Sequence, residues 1–463
     1  MSRNFDAIVI GGGQAGPSLA VRLAGAGQRV ALIERRFLGG TCVNTGCKPT
    51  KTMVASAYAA RMARRGAEYG VVVGSVGIDM KAVKARKDKV TLDSRQGLRD
   101  WLSATPDLTL IEGHARFRSP TEIEVNGEGL SSRSFYLNVG GRAAVPDLPG
   151  IGDVPYLTNS SILDLDTLPE HLVVVGGSYI GLEFAQMFRR FGSAVTVVEK
   201  GSRVASREDE DVSQAILDIL AKEGISFRLD AECIRLRRQG DRIAVGVDCT
   251  EGEPEVVGSH VLLALGRRPN TDDLGLDAAG VETDERGYVR VDDQLRTSAP
   301  HIWAMGDCNG RGAFTHTAYN DYEIVAANVL DGDPRRVSDR FPCYVLYTDP
   351  PLGRVGMTER EAGKSGRECL VGLIEMSRVG RAVERGETEG FMKVLVDAGS
   401  RQILGAAILG ASGDEVVHGI LDLMYARAPV ETIVRSVPIH PTVSEFLPTL
   451  FGSLKPLERS VSP

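Results

Sequence analysis

Residues 6–16 read Asp6-Ala7-Ile8-Val9-Ile10-Gly11-Gly12-Gly13-Gln14-Ala15-Gly16, and this stretch decides the fold of the chain. A run of apolar residues leads directly into three glycines, and the Ala/Leu-rich segment that follows is typical of a helix. The next apolar run, residues 29–34, predicts a second strand. The spacing G-x-G-x-x-G at Gly11, Gly13 and Gly16, between a strand and a helix, is the signature of a dinucleotide-binding βαβ unit.

The residue types in this unit suit a nucleotide. Glycines let the backbone approach a pyrophosphate at the positively polarised start of a helix. Glu34, which ends the second strand, can accept hydrogen bonds from ribose hydroxyls. A G-x-G-x-x-G alone is a weak signal, but its position between a strand and a helix makes a purely structural role for these residues a poor explanation.

A second βαβ unit occupies residues 171–199. An apolar strand enters Gly176-Gly177-Ser178-Tyr179-Ile180-Gly181, a helix extends through Phe191, and a further strand ends at Glu199. Two dinucleotides are therefore expected. Ser178 replaces the middle glycine, and its hydroxyl can still donate to a phosphate.

Glu199 bears on which nicotinamide nucleotide is used. A carboxylate at this position favours the free 2′-hydroxyl of NADH and repels the 2′-phosphate of NADPH. Arg203 and Arg207 follow closely and leave NADPH open, since either could meet a 2′-phosphate or be a solvated loop charge.

Cys42 and Cys47 form a close cysteine pair just after the first unit. Positions five apart on a regular helix are separated by about 7.5 Å along its axis, whereas the Cα atoms of a disulfide lie about 4.4 to 6.8 Å apart. We therefore predict that residues 39–47 form a bent loop leading into a helix that begins near Cys47. A helix start stabilises a thiolate, and Lys48 either adds to this effect or is a solvated amine.

Composition excludes several classes of protein. The chain of 463 residues predicts two to four domains, and 54 basic against 61 acidic residues, with no long basic run, give no footprint for nucleic acid. No stretch approaches the ~20 apolar residues of a membrane span, and no signal peptide is evident, so a cytoplasmic protein is expected.

Seven cysteines are too few for a disulfide scaffold in so long a chain, and in a reducing compartment a close pair is more often catalytic. A zinc site is not expected, because the pair lacks further closely spaced ligands.

The remaining organisation follows from proline, glycine and apolar runs. The Pro/Gly-rich stretch 140–150 predicts a crossing between the two βαβ units, and a matching stretch, 265–270, closes the second unit. Residues 302–307 read as a strand ending in a glycine turn, followed by a helix over about 317–330. Beyond Pro342, β-rich segments and a helix near residues 414–427 predict an α+β domain.

Three motifs in the same order resemble those of the class I pyridine nucleotide-disulfide oxidoreductases, the family of dihydrolipoamide dehydrogenase, glutathione reductase and mercuric reductase. Gly39 to Lys51 resembles the redox motif, and Thr297 with Gly306-Asp307 resembles the FAD ribityl-binding motif. The stretch His440-Pro441-Thr442-Val443-Ser444-Glu445 resembles the C-terminal acid-base motif. The similarity extends over nearly the whole chain.

The resemblance implies an α/β fold with two Rossmann-like domains, for FAD and for NAD(P), and a C-terminal α+β dimerisation domain. The implied domains are FAD-binding in 1–145 and 271–339, NAD(P)-binding in 146–270, and dimerising in 340–463. The implied cofactors are FAD and NADH, with NADPH possible in its place. The implied FAD residues are Gly11, Gly13, Gly16, Glu34, Thr41, Lys51, Ala115 and Asp307. The implied nicotinamide-nucleotide residues are Gly176, Gly181, Glu199 and Gly266, and Glu183 is implied to pair with Lys51 beside the flavin.

The same resemblance assigns the catalytic roles. Cys47 would face the flavin and Cys42 would attack the substrate disulfide. His440 would be the acid-base catalyst, since imidazole titrates near neutral pH, and Glu445 would orient it. In this family the histidine comes from the partner subunit, which implies a homodimer.

Three functions stay open. The first is an oxidoreductase for a small or lipoyl disulfide or dithiol, similar to dihydrolipoamide dehydrogenase. The second is a mercuric reductase-like enzyme that reduces a soft ion, mercuric or cupric, held by Cys42 and Cys47. No cysteine follows Cys369, which argues against mercury because the C-terminal thiol pair of mercuric reductases is absent. The third is a nucleotide-binding redox sensor without turnover.

Overall fold

A computed structural model describes residues 3–232, 234–247 and 253–457. Its α-helices, in chain order, are α1 Gly16–Gly25, α2 Gly40–Asn44, α3 Cys47–Arg64, α4 Met80–Ser103, α5 Tyr179–Phe191, α6 Glu210–Lys222, α7 Thr315–Ala326, α8 Glu359–Lys364, α9 Gly380–Glu384, α10 Gly413–Tyr425, α11 Glu431–Val434 and α12 Leu447–Gly452. Its strands are β1 Arg3–Phe5, β2 Ala7–Ile10, β3 Val30–Glu34, β4 Leu108–Glu112, β5 Ala115–Ser119, β6 Glu122–Val125, β7 Glu128–Ser132, β8 Phe135–Leu137, β9 Gly141–Ala143, β10 His171–Val175, β11 Ala194–Val198, β12 Ser226–Arg228, β13 Arg235–Gln239, β14 Arg242–Gly246, β15 Glu255–Gly258, β16 His260–Leu263, β17 Arg267–Pro269, β18 Ile302–Ala304, β19 Cys343–Leu346, β20 Leu352–Gly356, β21 Cys369–Glu375, β22 Phe391–Asp397, β23 Ile403–Leu409 and β24 Lys455–Pro456.

The first βαβ unit lies in a five-stranded parallel sheet of order β18-β8-β2-β3-β4. Ala7, Ile8 and Val9 are fully buried, as expected for a strand covered on both faces. The late strand β18 joins this early sheet, so the chain returns to its first domain after building the second. The carboxyl end of β2 leads into the glycine turn and α1.

The second unit repeats this plan in a parallel sheet of order β12-β11-β10-β16. Two further sheets, the three-stranded β13-β14-β15 and the four-stranded β1-β7-β6-β5, accompany the parallel ones. The predicted crossings between the domains pair with each other, since β9 and β17 form a two-stranded antiparallel ribbon. The two nucleotide turns are thereby held on either side of one short connection.

The C-terminal part is a six-stranded antiparallel sheet of order β19-β20-β23-β22-β21-β24. Ile408 on β23, Ile420 on α10 and Leu450 on α12 are fully buried in one apolar cluster. The predicted α/β fold with a C-terminal α+β domain is confirmed. The domain boundaries at residues 145, 270 and 339 stay predictions.

Two predicted helices are shifted. The one expected over 317–330 begins earlier as α7 and continues as one π-helical turn, Ala327–Asp331. The one expected near 414–427 is α10, which ends at Tyr425. In the described part of the chain, no helix is long and apolar enough to cross a membrane.

Helix α3 connects the two nucleotide units. Met53 and Ala57 on α3 lie in the same buried cluster as Phe184 and Phe188 on α5. Burying a side chain as large as that of Met or Phe stabilises the fold by roughly 1.5–3 kcal/mol. The helix that begins at Cys47 is therefore fixed against the helix that begins at the second nucleotide turn.

Candidate active site

The cysteine segment consists of two helical pieces with a break between them. Residues 40–44 form the short helix α2, so the prediction of a loop over 39–47 is wrong for this part. The break falls at Thr45 and Gly46, whose φ angles are −144° and −140°. It separates Cys42 on α2 from Cys47, which begins α3 as predicted. Two separate helical pieces allow the approach of the sulfurs that one continuous helix would prevent.

The two thiols are free and hydrogen-bonded to each other. The hydrogen bond from Cys42 is the main cause that lowers the pKa of Cys47 to about 6, and a hydrogen bond from Thr315 and the charge of Lys51 lower it further. The hydrogen bond with Cys47 and then burial raise the pKa of Cys42. In the reduced pair the proton is therefore favoured on Cys42 and the negative charge on Cys47.

Lys51 and Glu183 form an ion pair beside Cys47. Lys51 Nζ lies 2.7 Å from Glu183 Oε2 and 4.6 Å from the centre of the Tyr347 ring. The backbone N–H of Tyr347 donates to Glu183 Oε1 at 3.0 Å. Lys48, whose role was left open, donates to Ser94 Oγ at 2.9 Å.

The first nucleotide turn fits a pyrophosphate. Gly11 has φ +108°, and a Cβ there would lie 2.3 Å from the carbonyl oxygen of Asn138. The backbone N–H of Gly12 donates to Glu34 Oε2 at 2.8 Å. Gly13 follows in the turn, and α1 begins at Gly16 without a hydrogen bond from its capping side chain, so the positively polarised start of the helix lies at this turn.

The second turn has the same construction. Gly176 has φ +114°, and the N–H of Gly177 donates to Glu199 Oε2 at 2.6 Å. The other Glu199 oxygen accepts from Gly201 at 2.9 Å. Helix α5, which contains Gly181, also begins without a hydrogen bond from its capping side chain. The replacement of glycine by serine at position 178 has not changed the arrangement.

The other residues that the resemblance assigns to nucleotides fall in several places. Thr41 and Asp307 meet at Arg267, which donates to Thr41 Oγ1 and to Asp307 Oδ2, each at 3.3 Å. Gly266 directly precedes Arg267 and β17. Ala115 begins β5 and is buried. Whether each of these residues touches a nucleotide stays a prediction.

Three residues at the site were missed from the sequence. Asn138 accepts from the N–H of Gly16 at 2.9 Å and donates to the carbonyl of Met305 at 3.1 Å. Arg267 was read only as part of a domain crossing. Thr315 lies 3.2 Å from the Cys47 sulfur. No local pattern reveals such contacts, because Asn138 and Thr315 lie more than 100 residues from the groups they bind.

His440 and Glu445, which are predicted to act as base and orienter, contact each other, with His440 Nδ1 2.8 Å from Glu445 Oε2. The His440 side chain is 80% exposed, whereas that of Glu445 is 13% exposed. The neighbouring Val437 and Ile439 are 95% and 79% exposed. An oriented imidazole on an apolar, uncovered segment is suited to act on another protein surface rather than within its own chain.

Replacing Thr315 by valine tests the thiolate of Cys47. Loss of the hydroxyl is expected to raise the pKa of Cys47 by roughly 0.5 to 1 pH unit, the equivalent of one hydrogen bond of about 1 kcal/mol. The thiolate is present above the pKa and lost below it, so alkylation of Cys47 by iodoacetamide at pH 6 should slow. Mass spectrometry of the alkylated peptide against pH measures this. Thr315→Ser should behave like the wild type, and an unchanged profile in Thr315→Val would contradict the contact.

Comparison with known families gives a consistent result. The family model described as pyridine nucleotide-disulphide oxidoreductase matches residues 5–321. The dimerisation-domain model of the same family matches residues 343–451. Together they account for both nucleotide units and the antiparallel sheet.

Individual relatives match nearly the whole length of the chain. It is 34% identical to "Probable pyridine nucleotide-disulfide oxidoreductase RclA" of Escherichia coli, over 97% of this chain and 99% of that protein. It is 31% identical to a mercuric reductase of Staphylococcus aureus, over 96% and 81%, and 32% identical to a dihydrolipoyl dehydrogenase of Chlamydia muridarum, over 96% of each chain.

Solved structures show the same similarity. The structure of the HOCl-induced flavoprotein disulfide reductase RclA from Escherichia coli superposes with a TM-score of 0.89 at 35% identity, covering 96% of this chain and 99% of that one. A Cu(II) complex of RclA gives the same TM-score at 34% identity, covering 98% and 99%.

Proposed function

Because this chain belongs to the pyridine nucleotide-disulphide oxidoreductases, we propose that it passes electrons from NADH through FAD to Cys42 and Cys47, and from them to a disulfide substrate. The chain is an enzyme of this family, whose members use FAD and NAD(P)H. The observation that carries the proposal is the placement of two free thiols, Cys42 on α2 and Cys47 at the start of α3, beside the ion pair of Lys51 and Glu183.

The residues of this chain suit the cofactors of the family. The turn around Gly11, with Glu34 and Asn138, would hold the FAD pyrophosphate and ribose, and the turn around Gly176 would hold the nicotinamide nucleotide. FAD, when bound, supplies the chemistry that accepts a hydride and delivers an electron pair to a disulfide.

Cys42, Cys47 and His440 carry out the thiol-disulfide exchange and the proton transfers. The Cys42–Cys47 disulfide takes up two electrons and one proton, which leaves a Cys42 thiol and a Cys47 thiolate. Because its pKa is raised, Cys42 needs a base before it can attack. His440 of the partner subunit takes that proton, and Cys42 bonds to one substrate sulfur while the other departs as a thiolate that His440 protonates.

The second half restores the disulfide. The Cys47 thiolate attacks the sulfur of Cys42, the mixed disulfide breaks, and the second substrate thiolate leaves and takes a proton from solvent. In sum, one NADH, one proton and one disulfide give NAD⁺ and two thiols. The matched dimerisation domain supports a homodimer, which this scheme requires.

Glu199 is expected to make NADH the preferred nucleotide. Its carboxylate is held by two backbone N–H groups, so it cannot easily turn away from a 2′-phosphate. Glu199→Gln should reduce the preference for NADH over NADPH, measured as the ratio of the kcat/KM values, by about tenfold, the equivalent of ~1.4 kcal/mol.

A matched control exists in the first unit. Glu34 binds the N–H of Gly12 as Glu199 binds that of Gly177. Glu34→Gln should weaken FAD retention and leave the NADH to NADPH ratio unchanged. A wild-type preference for NADPH would contradict the assignment and point instead to half-buried Arg203 or exposed Arg207.

Reduction of a soft metal ion is the second candidate. It is favoured by the Cu(II) complex of RclA and by the mercuric reductases among the relatives. Within residues 3–232, 234–247 and 253–457, no group of three or more His, Cys, Asp or Glu side chains is arranged to hold a metal. In this candidate function a cupric or mercuric ion is a substrate held by the two sulfurs.

One assay separates the candidates. NADH oxidation by the FAD-loaded protein is measured with lipoamide, glutathione disulfide, cupric ion and mercuric ion in turn. Turnover of a disulfide supports the first proposal, and turnover of an ion alone supports the second. No turnover with any of them would contradict both and leave the nucleotide-binding sensor.

A further inference from the structure

Asn44 lies between the two cysteines and ends α2. Its side-chain Nδ2 donates to the carbonyl oxygen of Gly40 at 2.8 Å and to that of Leu38 at 2.9 Å. A helix of five residues is not stable in isolation. The position of α2, and of Cys42 on it, therefore depends on contacts of this kind.

Arg95, on α4, binds the other end of the Asn44 amide. Its Nε and Nη2 donate to Asn44 Oδ1 at 3.1 and 2.8 Å. The same guanidinium lies 3.8 Å from the centre of the Phe37 ring. Arg95 thus contacts the chain on both sides of Cys42: it contacts Phe37, which precedes Cys42, and Asn44, which follows it.

Helix α4 is in turn fixed to α3, which carries Cys47. Lys48 Nζ donates to Ser94 Oγ at 2.9 Å, and Arg86 Nη1 donates to the carbonyl of Thr52 at 2.6 Å. A continuous set of contacts therefore runs from Cys47 through α3 and α4 to Arg95, and through Asn44 to Cys42.

We propose that Arg95 is a positioning residue for the redox pair: its double contact with Asn44 holds α2, and with it the Cys42 sulfur, within hydrogen-bonding distance of Cys47. The effect of this positioning on disulfide turnover rests on the proposed function. The contacts of Arg95 are with Asn44 and Phe37 rather than with either thiol, so the proposal assigns its effect to geometry rather than to its charge.

Replacing Arg95 by leucine tests the proposal on the FAD-loaded enzyme. The pH profile of Cys47 alkylation by iodoacetamide is expected to move up by about one pH unit, since Cys47 would lose its donor on Cys42. The kcat/KM for dithiobis(nitrobenzoate), a general disulfide probe, should fall about tenfold or more. NADH-dependent ferricyanide reduction, which bypasses the cysteines, should stay within about twofold of wild type.

Two matched variants control for charge and for helix stability. Arg95→Lys keeps the charge but not the paired geometry, and should share most of the defect. Arg99→Leu, one turn later on α4, removes only an exposed ion pair with Glu112, and should have no effect on either profile.

A double-mutant cycle with Asn44→Ala decides the route. If Arg95 acts through Asn44, Arg95→Leu adds little in the Asn44→Ala background. An unchanged Cys47 profile in Arg95→Leu, full rescue by Arg95→Lys, or an undiminished effect in the Asn44→Ala background would each overturn the proposal. Because alkylation needs no turnover, these outcomes are distinct from a wild-type enzyme that fails to reduce disulfides.

Discussion

Cys42→Ser is expected to lower disulfide-reductase turnover by at least ~10³-fold, because a serine oxygen can neither form the mixed disulfide nor be resolved by Cys47. NADH-dependent reduction of ferricyanide should persist, since that reaction needs only the flavin. The two activities, measured on the same preparation, separate loss of the sulfur from loss of the cofactor.

Two replacements at the same position distinguish the two properties of Cys42. The serine hydroxyl can still donate a hydrogen bond to Cys47, so Cys42→Ser should keep the low pKa of Cys47. Cys42→Ala removes the donor and should raise it, because that hydrogen bond is the main cause of the shift. Disulfide turnover that survives in Cys42→Ser would refute the assignment of Cys42 as the attacking thiol.

His440→Gln should lower disulfide turnover by about 10²- to 10⁴-fold, the usual contribution of a general acid-base group. Glutamine keeps a polar side chain of similar size, but it cannot take a proton from Cys42 or return one to the leaving thiolate. The loss should be smaller for substrates whose thiolates leave easily, such as dithiobis(nitrobenzoate).

A heterodimer determines which subunit supplies His440. When a His440→Gln chain and a Cys42→Ser chain are co-expressed with different tags, the purified heterodimer should regain about half of wild-type activity, because one of its two sites then has both residues. Neither parent homodimer should be active. If Cys42 and His440 of one chain acted together, the heterodimer would be inactive as well.

The exposed segment beside His440 offers an independent check. The side chains of Val437 and Ile439 are almost fully exposed to solvent in the single chain. Apolar side chains so exposed are expected to be buried by the partner subunit. Ile439→Glu should shift the protein from dimer to monomer in size-exclusion chromatography, with a parallel loss of disulfide turnover. A stable and active Ile439→Glu dimer would place the interface elsewhere.

Local patterns were sufficient to predict the two strand-turn-helix units. The strand, the glycine turn and the carboxylate of Glu34 occur within 30 residues, and the same arrangement recurs at Glu199. Such short-range patterns record backbone requirements, such as the positive φ of Gly11 and Gly176, that few other residues satisfy. The two cysteines, and likewise His440 and Glu445, are only five positions apart.

The sequence was less informative where contacts are distant. The sequence predicts a loop over residues 40–44 rather than the observed helical turn, because a contact such as that of Asn44 with Arg95 on a separate helix leaves no local pattern. Asn138, Arg267 and Thr315 were missed for the same reason. Each is an ordinary residue in its local context and acquires its role from a partner far along the chain.

The sequence by itself determined the family and the order of the two nucleotide units, since spacing within a strand-turn-helix unit constrains the backbone directly, and the roles of the sulfur and imidazole groups stay predictions. Only the tertiary structure decided how the two sulfurs are held together and which contacts lower the pKa of Cys47. A pKa depends on burial, on hydrogen bonds and on nearby charges, and all three are set by the packing of segments that lie far apart in the chain.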